Sequence, residues 1–451
     1  MIKYETNSKL VQKGQIFIAI KGHTVDGHNY IKEAINNGAI KVICEKEIEE
    51  DIPHEIVKDT KIYLKDILVK EYSNEINKLK IIGVTGTNGK TTSCYLMYQM
   101  LQKLGKKAAH LGTLGFYLND EITETDNTTP DILTLYKLLL KATESNIEYL
   151  VMEVSSHSLS YERIKGLTFV AGAFTNLTED HLDYHKTMEA YLNEKLKILN
   201  YLKNDAPMLL NSDDASSKKF ETYKNYKTYG TNGTYKIKNY DIYPDHTNIS
   251  IEYNNKSFNV TTNLTSKFNI YNYLTCLSTL HELGFSIESI LDITKNIYPP
   301  KGRCETFKLN KGYAVVDYAH TPDAVEKVIS AYNELKKGKV ITIVGCGGDR
   351  DPIKRPIMGN IATSLSDYVI FTNDNPRTED PKSIMDMIVK DNKNNNYEII
   401  YDRKEAIHKG IDLLNENDIL LVLGKGHEDY QIIGHTKIHL DDSEIIKEYN
   451  N

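Results

Sequence analysis

Tryptophan is absent from the 451 residues, and cysteine is scarce. The five thiols (Cys44, Cys94, Cys276, Cys304 and Cys346) are scattered, odd in number and without metal-ligand spacing. That excludes a disulfide framework and points to a reducing compartment. No apolar run approaches the ~20 residues of a membrane span. The opening stretch MIKYETNSKLVQKG lacks the apolar core of a secretory signal, so the expectation is a soluble, cytoplasmic protein. Positive charge is not in excess either. The formal net charge of −7 argues against nucleic acid or an anionic membrane as a partner. The richness in Asn, Lys, Ile and Tyr is a compositional bias to which we attach no mechanism.

What is present is ordinary for a globular protein: 40% hydrophobic and 26% charged residues. The length suggests about three domains of ~150 residues. Residues 1–78 read as a small α/β unit, with strands in QIFIAI and IKVICE, a helix in NYIKEAINNG, and a charged closing stretch, KEYSNEINKLK. Residues 79–297 repeat strand, turn and helix, then change at 226–264 to short alternating segments. The expectation there is a parallel sheet with an antiparallel addition. Residues 298–451 carry five apolar strands, YAVVD, VITIVG, DYVIFT, YEIIYD and DILLVLG, most followed by a helical pattern. This fits an open, Rossmann-like parallel sheet, which binds ligands beyond the carboxyl ends of its strands. Those ends read DYAHTPD, GCGGDRD, TNDNPRTEDP and GKGHEDYQ.

The run GVTGTNGKTT at 83–92 misses the strict P-loop pattern by one place, because Val84 stands where the first glycine belongs. The remaining Gly86-Thr87-Asn88-Gly89-Lys90-Thr91-Thr92 is a tighter version of the same device. Gly86 and Gly89 let backbone amides approach phosphate, Lys90 reaches the terminal phosphates, and the Thr91 hydroxyl ligates Mg²⁺. Glu153 ends an apolar strand, where a carboxylate serves either a nucleotide-bound Mg²⁺ or a simple turn. Ser155, Ser156 and His157 suggest a nucleophile and base, but no Gly-x-Ser-x-Gly elbow is present and ATP supplies the activation. His157 is instead expected to orient its neighbours. Lys195 falls on an apolar helical stripe with Met188, Tyr191, Leu192, Ile198, Leu199 and Leu202. Spacing alone favours a lysine that snorkels to the surface. In the last block Arg350 and Arg377 suit carboxylates, while Asp374 and Asn375 suit an ammonium. Together they would hold a zwitterionic amino acid; DNPR alone reads more readily as a capping turn with a surface arginine.

In order along the chain stand GTNGKTT, NTTPD, MEVSSHSL, TNLTEDHLDYHKTM, FNIYN, VVDYAHTPD, GCGGDRD, TNDNPRTEDP and GKGHEDYQ. This chain resembles the Mur ligase family over essentially its whole length, and within it the members that add meso-diaminopimelate. The resemblance implies a UDP-sugar domain (1–78), a central ATPase domain (79–297) and an amino-acid-binding domain (298–451). It implies ATP and two Mg²⁺ ions, an acyl-phosphate intermediate, and a monomer acting on UDP-MurNAc-L-Ala-D-Glu. Alternatives are a lysine-adding ligase of the same family, a folylpolyglutamate synthase, a nucleotide switch protein, or an inactive nucleotide-binding paralogue.

Residue by residue, the resemblance assigns Lys90 and Thr91 to phosphate and Mg²⁺, and Glu153 and His181 to Mg²⁺. Lys195 matches the lysine that the family carbamoylates, which reverses the surface reading. Asn272, Arg303 and Asp317 match nucleotide contacts. Ser8, Thr128, Thr129, Ser155 and Arg163 match contacts to the UDP-sugar dipeptide. Arg350, Asp374, Asn375, Arg377, Gly424 and Glu428 match the diaminopimelate pocket, and lysine-adding relatives lack an arginine at the place of Arg377. Two departures stand out. Asn7-Ser8-Lys9 replaces the family's Asp-Ser-Arg, removing a charge and an arginine fork, although the following KGHTVDGHNYI fits. Ser266 replaces a usual glycine before FNIYN, which reads as a minor change.

Overall fold

The computed structural model describes residues 2–22 and 25–450, so His23 and Thr24 of the segment KGHTVDGHNYI lie outside the described residues. By packing, the chain divides into two compact units. The first comprises Met1–Lys90, Leu101–Leu210 and Asp214–Tyr226. It opens with four strands paired in parallel in chain order: β1 (Tyr4–Glu5), β2 (Ile16–Ile18), β3 (Lys41–Cys44) and β4 (His54–Ile56). Phe17, Val42 and Cys44 bury one face of this sheet against Ile31 and Ala34 of the short helix Ile31–Asn36.

The charged stretch expected to close this block is helical. It forms the last turns of the helix Thr60–Ile76, which Asp59 caps by accepting from the amides of Lys61 and Ile62 at 2.8 and 2.9 Å. The reason is a thin apolar stripe. Leu64, Leu68 and Ile76 enter one core with Leu135, Tyr136 and Leu139 of the helix Ile132–Glu144, leaving Lys70, Glu71 and Glu75 exposed on the outside.

The second sheet of this unit contains β5 (Lys80–Thr85), β6 (Ala108–Gly112), β7 (Gly115–Leu118), β8 (Glu121–Thr123), β9 (Tyr149–Glu153), β10 (Phe169–Phe174) and β11 (Met208–Asn211). Their order is β11-β10-β5-β9-β6-β7-β8, parallel except for β7 and β8. The chain leaves the central β5 for β6, two places away, and later inserts β9 and β10 on either side of β5. The carboxyl ends of β5, β9 and β10 therefore open side by side, the place where open α/β sheets bind ligands.

The second unit comprises Thr91–Met100, Asn211–Asp213 and Lys227–Asn451. Its strands β12 (Tyr226–Gly230), β13 (Tyr235–Ile242), β14 (Thr247–Tyr253) and β15 (Lys256–Thr262) cover the segment read as antiparallel. β13, β14 and β15 are antiparallel, but β12 meets β13 in parallel through two pairs. Gly233 allows this fold-back, since a Cβ there would lie 2.6 Å from the Tyr229 Cα.

The remaining sheet runs β16-β17-β21-β18-β19-β20. Its strands are β16 (Glu305–Lys308), β17 (Tyr313–Asp317), β18 (Val340–Val344), β19 (Tyr368–Phe371), β20 (Tyr397–Ile399) and β21 (Ile419–Leu423), all parallel except the edge strand β16. Every residue of β18 and β21 is buried, as their mostly apolar sequences require, and the one polar side chain, Thr342, pairs with Ser366 Oγ at 2.7 Å. After β18 the chain builds outward through β19 and β20, then returns to place β21 on the other side of β18. That reversal puts a crevice beyond the ends of β18, β19 and β21, where GCGGDRD, TNDNPR and GKGHE emerge. A hairpin, β22 (Tyr430–Ile433) and β23 (Thr436–His439), follows.

Candidate active site

In the first unit, the turn after β5 is shaped by Gly86 at φ 147° and Gly89 at φ 84°. A Cβ on Gly86 would sit 1.9 Å from the Thr175 Oγ1, so only glycine fits. Residues 175–178, leaving β10, brace the turn. Thr175 Oγ1 donates to the Asn88 carbonyl at 2.6 Å. The Thr87 amide donates to the Asn176 carbonyl at 2.8 Å, and the Asn88 amide to the Asn176 Oδ1 at 2.9 Å. The Asn88 side chain donates to Thr178 Oγ1 at 3.1 Å. Lys90 and Thr91 begin the helix Lys90–Lys103, with Thr92 in its first turn. Lys90 Nζ donates to the carbonyls of Gly86 and Thr87 at 3.0 and 2.7 Å.

Lys195 converges on the same turn. Its Nζ donates to the Gly86 carbonyl at 2.7 Å and lies 4.3 Å from the Tyr191 ring centroid. The residue is 1% exposed, so it does not snorkel outward. Burial, and then the neighbouring Lys90 ammonium, hold its pKa well below the usual lysine range, with Asp180 opposing weakly. His181 is exposed and in left-handed backbone at φ 53°, with its ring edge-on to His157 at 5.0 Å. His157 also packs on Tyr184 at 4.5 Å, and His185 pairs with Ser156 Oγ at 2.9 Å. Burial lowers the pKa of both His157 and His185, so these imidazoles favour the neutral form.

At the ends of β6 and β9 four of the residues expected to contact the dipeptide, Thr128, Thr129, Ser155 and Arg163, lie near Glu153. This wholly buried carboxylate accepts the Thr113 amide at 2.8 Å, and a Cβ on Gly112 would lie 2.1 Å from it. Thr113 Oγ1 pairs with Thr128 Oγ1 at 3.0 Å, and Thr129 Oγ1 donates to the Glu153 carbonyl at 2.9 Å. The Ser155 amide donates to Thr129 Oγ1 at 3.4 Å, and Arg163 Nη1 to the Thr129 carbonyl at 2.7 Å. Ser8 belongs to a network of its own: buried, it donates from Oγ to Glu33 at 2.5 Å, and its carbonyl accepts from Asn37 at 2.9 Å. Asn7 caps this turn by accepting the Lys9 amide at 3.1 Å, a service that Asn and Asp perform equally.

In the second unit, the Asn272 side chain donates to Asn269 Oδ1 at 2.9 Å and accepts from Ser93 Oγ at 3.4 Å. The Arg303 guanidinium lies 4.7 Å from the Tyr318 ring centroid. Asp317 accepts the amides of Cys304 and Ala319 at 2.8 and 2.9 Å. Burial pushes its pKa up, and Arg303 pulls it back.

Most of the residues expected to hold the amino acid come together in the crevice. Asn375 Nδ2 donates to Glu428 at 2.9 Å, and its Oδ1 accepts the Ile432 amide at 2.9 Å. Gly424 has φ 114°, and a Cβ there would lie 2.8 Å from an Asp374 carboxylate oxygen. Arg377, at φ 51°, donates from Nη1 to the Gly348 carbonyl at 2.8 Å. A Cβ on Gly347 would lie 2.9 Å from Arg377 Nη1 and 3.6 Å from Arg350 Cγ, so this glycine admits both arginines. Arg350 itself is exposed and donates to the Asp349 carbonyl at 3.3 Å. Sequence reasoning missed Lys425. It is wholly buried, with Nζ 3.2 Å from Glu428 and 3.4 Å from Asn375 Oδ1. It also missed Thr175, Asn176 and Thr178, whose only signal was their place in TNLTEDHLDYHKTM, and Thr113, which none of the quoted motifs contains.

Three family descriptions match in succession: "Mur ligase family, catalytic domain" over 4–80, "Mur ligase middle domain" over 84–280 and "Mur ligase, glutamate ligase domain" over 302–426. The UDP-N-acetylmuramoyl-L-alanyl-D-glutamate–2,6-diaminopimelate ligase of Clostridium botulinum is 40% identical, spanning 99% of this chain and 94% of its own. The protein of the same name from Bacillus cereus is 41% identical, spanning 98% and 93%. A solved structure of a ligase of that name superposes with a TM-score of 0.73 at 29% identity, over 99% and 94% of the two chains. The Thermotoga maritima MurF ligase, solved in complex with ADP, shares the fold at TM-score 0.69 and 20% identity, over 99% and 96%. Similarity of this degree from end to end shows that the chain belongs to the Mur ligase family of ATP-dependent ligases.

Proposed function

We propose that the protein joins meso-diaminopimelate to the γ-carboxylate of UDP-MurNAc-L-Ala-D-Glu, consuming ATP, in the synthesis of peptidoglycan precursors. A carboxylate is a poor electrophile. Transfer of the γ-phosphoryl group to its oxygen gives ADP and an acyl phosphate. The amine of the incoming amino acid then attacks the acyl carbon, loses a proton, and expels inorganic phosphate as the amide forms. Lys90 at the mouth of the glycine turn offsets charge on the transferring phosphoryl oxygens. Thr128, Thr129, Ser155 and Arg163 orient the dipeptide, Ser8 serves the UDP-sugar, and Asn272, Arg303 and Asp317 serve the nucleotide.

Lys195 carries the observation most telling for catalysis. Only a neutral amine adds to CO₂: the Nζ lone pair attacks carbon, a proton leaves, and a carbamate anion remains. The buried, depressed Lys195 beside Gly86 is suited to that reaction. Among the described residues no three His, Cys, Asp or Glu side chains gather into a metal cage. The proposed donors are the Thr91 hydroxyl, the Glu153 carboxylate, the His181 imidazole and, once carbamoylated, Lys195. With the carbamate this oxygen-rich set fits Mg²⁺, which takes few protein ligands when phosphates supply the rest. Two bound Mg²⁺ ions would supply charge neutralisation to the phosphoryl oxygens.

The amino-acid assignment rests on Arg377. Diaminopimelate carries a second carboxylate on its far carbon, which suits a guanidinium fork, and lysine would leave that fork unpaired. Asp374 and Glu428 suit the ammonium groups, and Arg350 suits the near carboxylate. The reading includes domain boundaries at 78/79 and 297/298 and a cytoplasmic monomer without nucleic-acid or membrane partners. Phosphate release with ATP, Mg²⁺ and UDP-MurNAc-L-Ala-D-Glu tests it, with meso-diaminopimelate or L-lysine added in parallel and the product weighed by mass spectrometry. A tripeptide product with diaminopimelate alone supports the reading. Preference for lysine would overturn the Arg377 assignment, and release independent of any amino acid would overturn the ligase.

A further inference from the structure

Two loops carry most of the amino-acid pocket: residues 345–353 after β18 and 372–380 after β19. An ion pair with no part in the chemistry above joins them. Arg355 is 0% exposed, and its Nη1 and Nη2 donate to the two Glu379 carboxylate oxygens at 2.8 and 2.9 Å. Nη2 also donates to the Gly347 carbonyl at 3.1 Å, and Glu379 accepts the Asp349 amide. Around this fork the loops are laced together. The Gly348 amide donates to the Asn375 carbonyl at 2.9 Å, Arg377 Nη1 donates to the Gly348 carbonyl, and Thr378 Oγ1 donates to the Asp349 carboxylate at 2.9 Å. With Arg355 buried and Glu379 partly exposed, the pair is a weak source of net stability, because desolvation of the guanidinium offsets much of an attraction that solvent already screens. What a two-pronged fork supplies is fixed geometry.

We propose that Arg355 and Glu379 are positioning residues for amino-acid selection. The pair fixes the spacing between Gly347-Gly348 and Asn375-Arg377, and so the point at which Arg377 meets the far carboxylate. This rests on the reaction proposed above. Arg355 and Glu379 touch no substrate in this scheme; they act through Arg377.

Glu379→Gln retains the shape of the side chain but sets an amide NH₂ against the guanidinium. A misplacement near 1 Å can cost about 100-fold. The expected result is a KM for meso-diaminopimelate raised roughly 10- to 100-fold, with kcat at saturation and the KM for ATP changed less than about threefold. An equal rise in the KM for ATP, or an unchanged KM for diaminopimelate, overturns the proposal. Should Glu379→Gln fail to fold, Thr378→Val cuts the same lacing at the exposed rim. It is expected to raise the diaminopimelate KM about threefold without moving the others, and no change there overturns the proposal as well. If the wild type does not use diaminopimelate, the reaction reading fails first, and the pair is then judged on whichever amino acid the wild type does use.

Discussion

Replacing Ser266 by glycine should stabilise the protein, and the gain can be worked from the backbone. Ser266 precedes the helix Lys267–Glu282 with φ 75° and ψ 149°, a region open in practice only to glycine. Serine is a preferred N-cap, yet this one makes no capping hydrogen bond, because that backbone aims its side chain away from the first amides. The residue is 1% exposed, and its hydroxyl finds no hydrogen-bond partner among the described residues. Relief of the strain is worth about 1–3 kcal/mol, and removal of an unsatisfied buried hydroxyl about 1–3 kcal/mol. Against this, glycine adds freedom to the unfolded chain, costing about 0.4–1 kcal/mol. The net is a gain of about 3 kcal/mol, or roughly 6–12 °C in Tm for a unit of this size.

Thermal unfolding of wild type, Ser266→Gly and Ser266→Ala, followed by calorimetry, separates the two contributions. Alanine removes the hydroxyl but keeps the Cβ, so it should recover only part of the gain. An unchanged or lower Tm for the glycine variant would refute the reasoning. Equal gains for glycine and alanine would show that the hydroxyl alone mattered and the backbone was unstrained.

Lys195→Ala is expected to lower kcat about 100-fold or more, with partial return of activity when short-chain carboxylic acids are added; wild-type activity in this variant would end the carbamate reading. Arg377→Ala should weaken diaminopimelate use roughly 10- to 100-fold, the worth of about 1.5–3 kcal/mol, while leaving ATP binding intact; equal loss of both would make Arg377 structural. His110 is wholly buried, and burial pushes its pKa from 6.5 down to about 4. Its folded-state pKa lies below the unfolded one, so its share of stability is complete above pH 6.5 and is lost as pH falls through about 4. Urea unfolding should therefore show an acid loss of about 3 kcal/mol from this group near pH 4, reduced in His110→Phe; identical pH profiles would exclude it as the source.

How far the sequence could be read depended on how local the cause was. The glycine turn and the strand-end clusters were legible because a few adjacent residues dictate them: an apolar run ends, and glycines and charges follow. The crevice between β18 and β21 was legible in kind, since repeated strand and helix patterns imply an open parallel sheet, although only the chain's return fixes which loops face each other. Lys195 was legible only by resemblance, because its periodicity suits a snorkelling lysine and its burial comes from the Gly86 turn, far away in sequence. Lys425, Arg355 and Glu379 lie inside the quoted motifs or beside them, but the contacts that tie separate loops together, Arg355 to Glu379 and Lys425 to Asn375, span 24 and 50 residues, and no spacing rule announces a fork that closes between loops. Ser266 shows the opposite failure. A serine ahead of a helix reads as a cap, and nothing in its neighbours reveals a backbone built for glycine. The candidate binding residues were thus visible as chemistry, whereas those that hold them in place became visible only as distances.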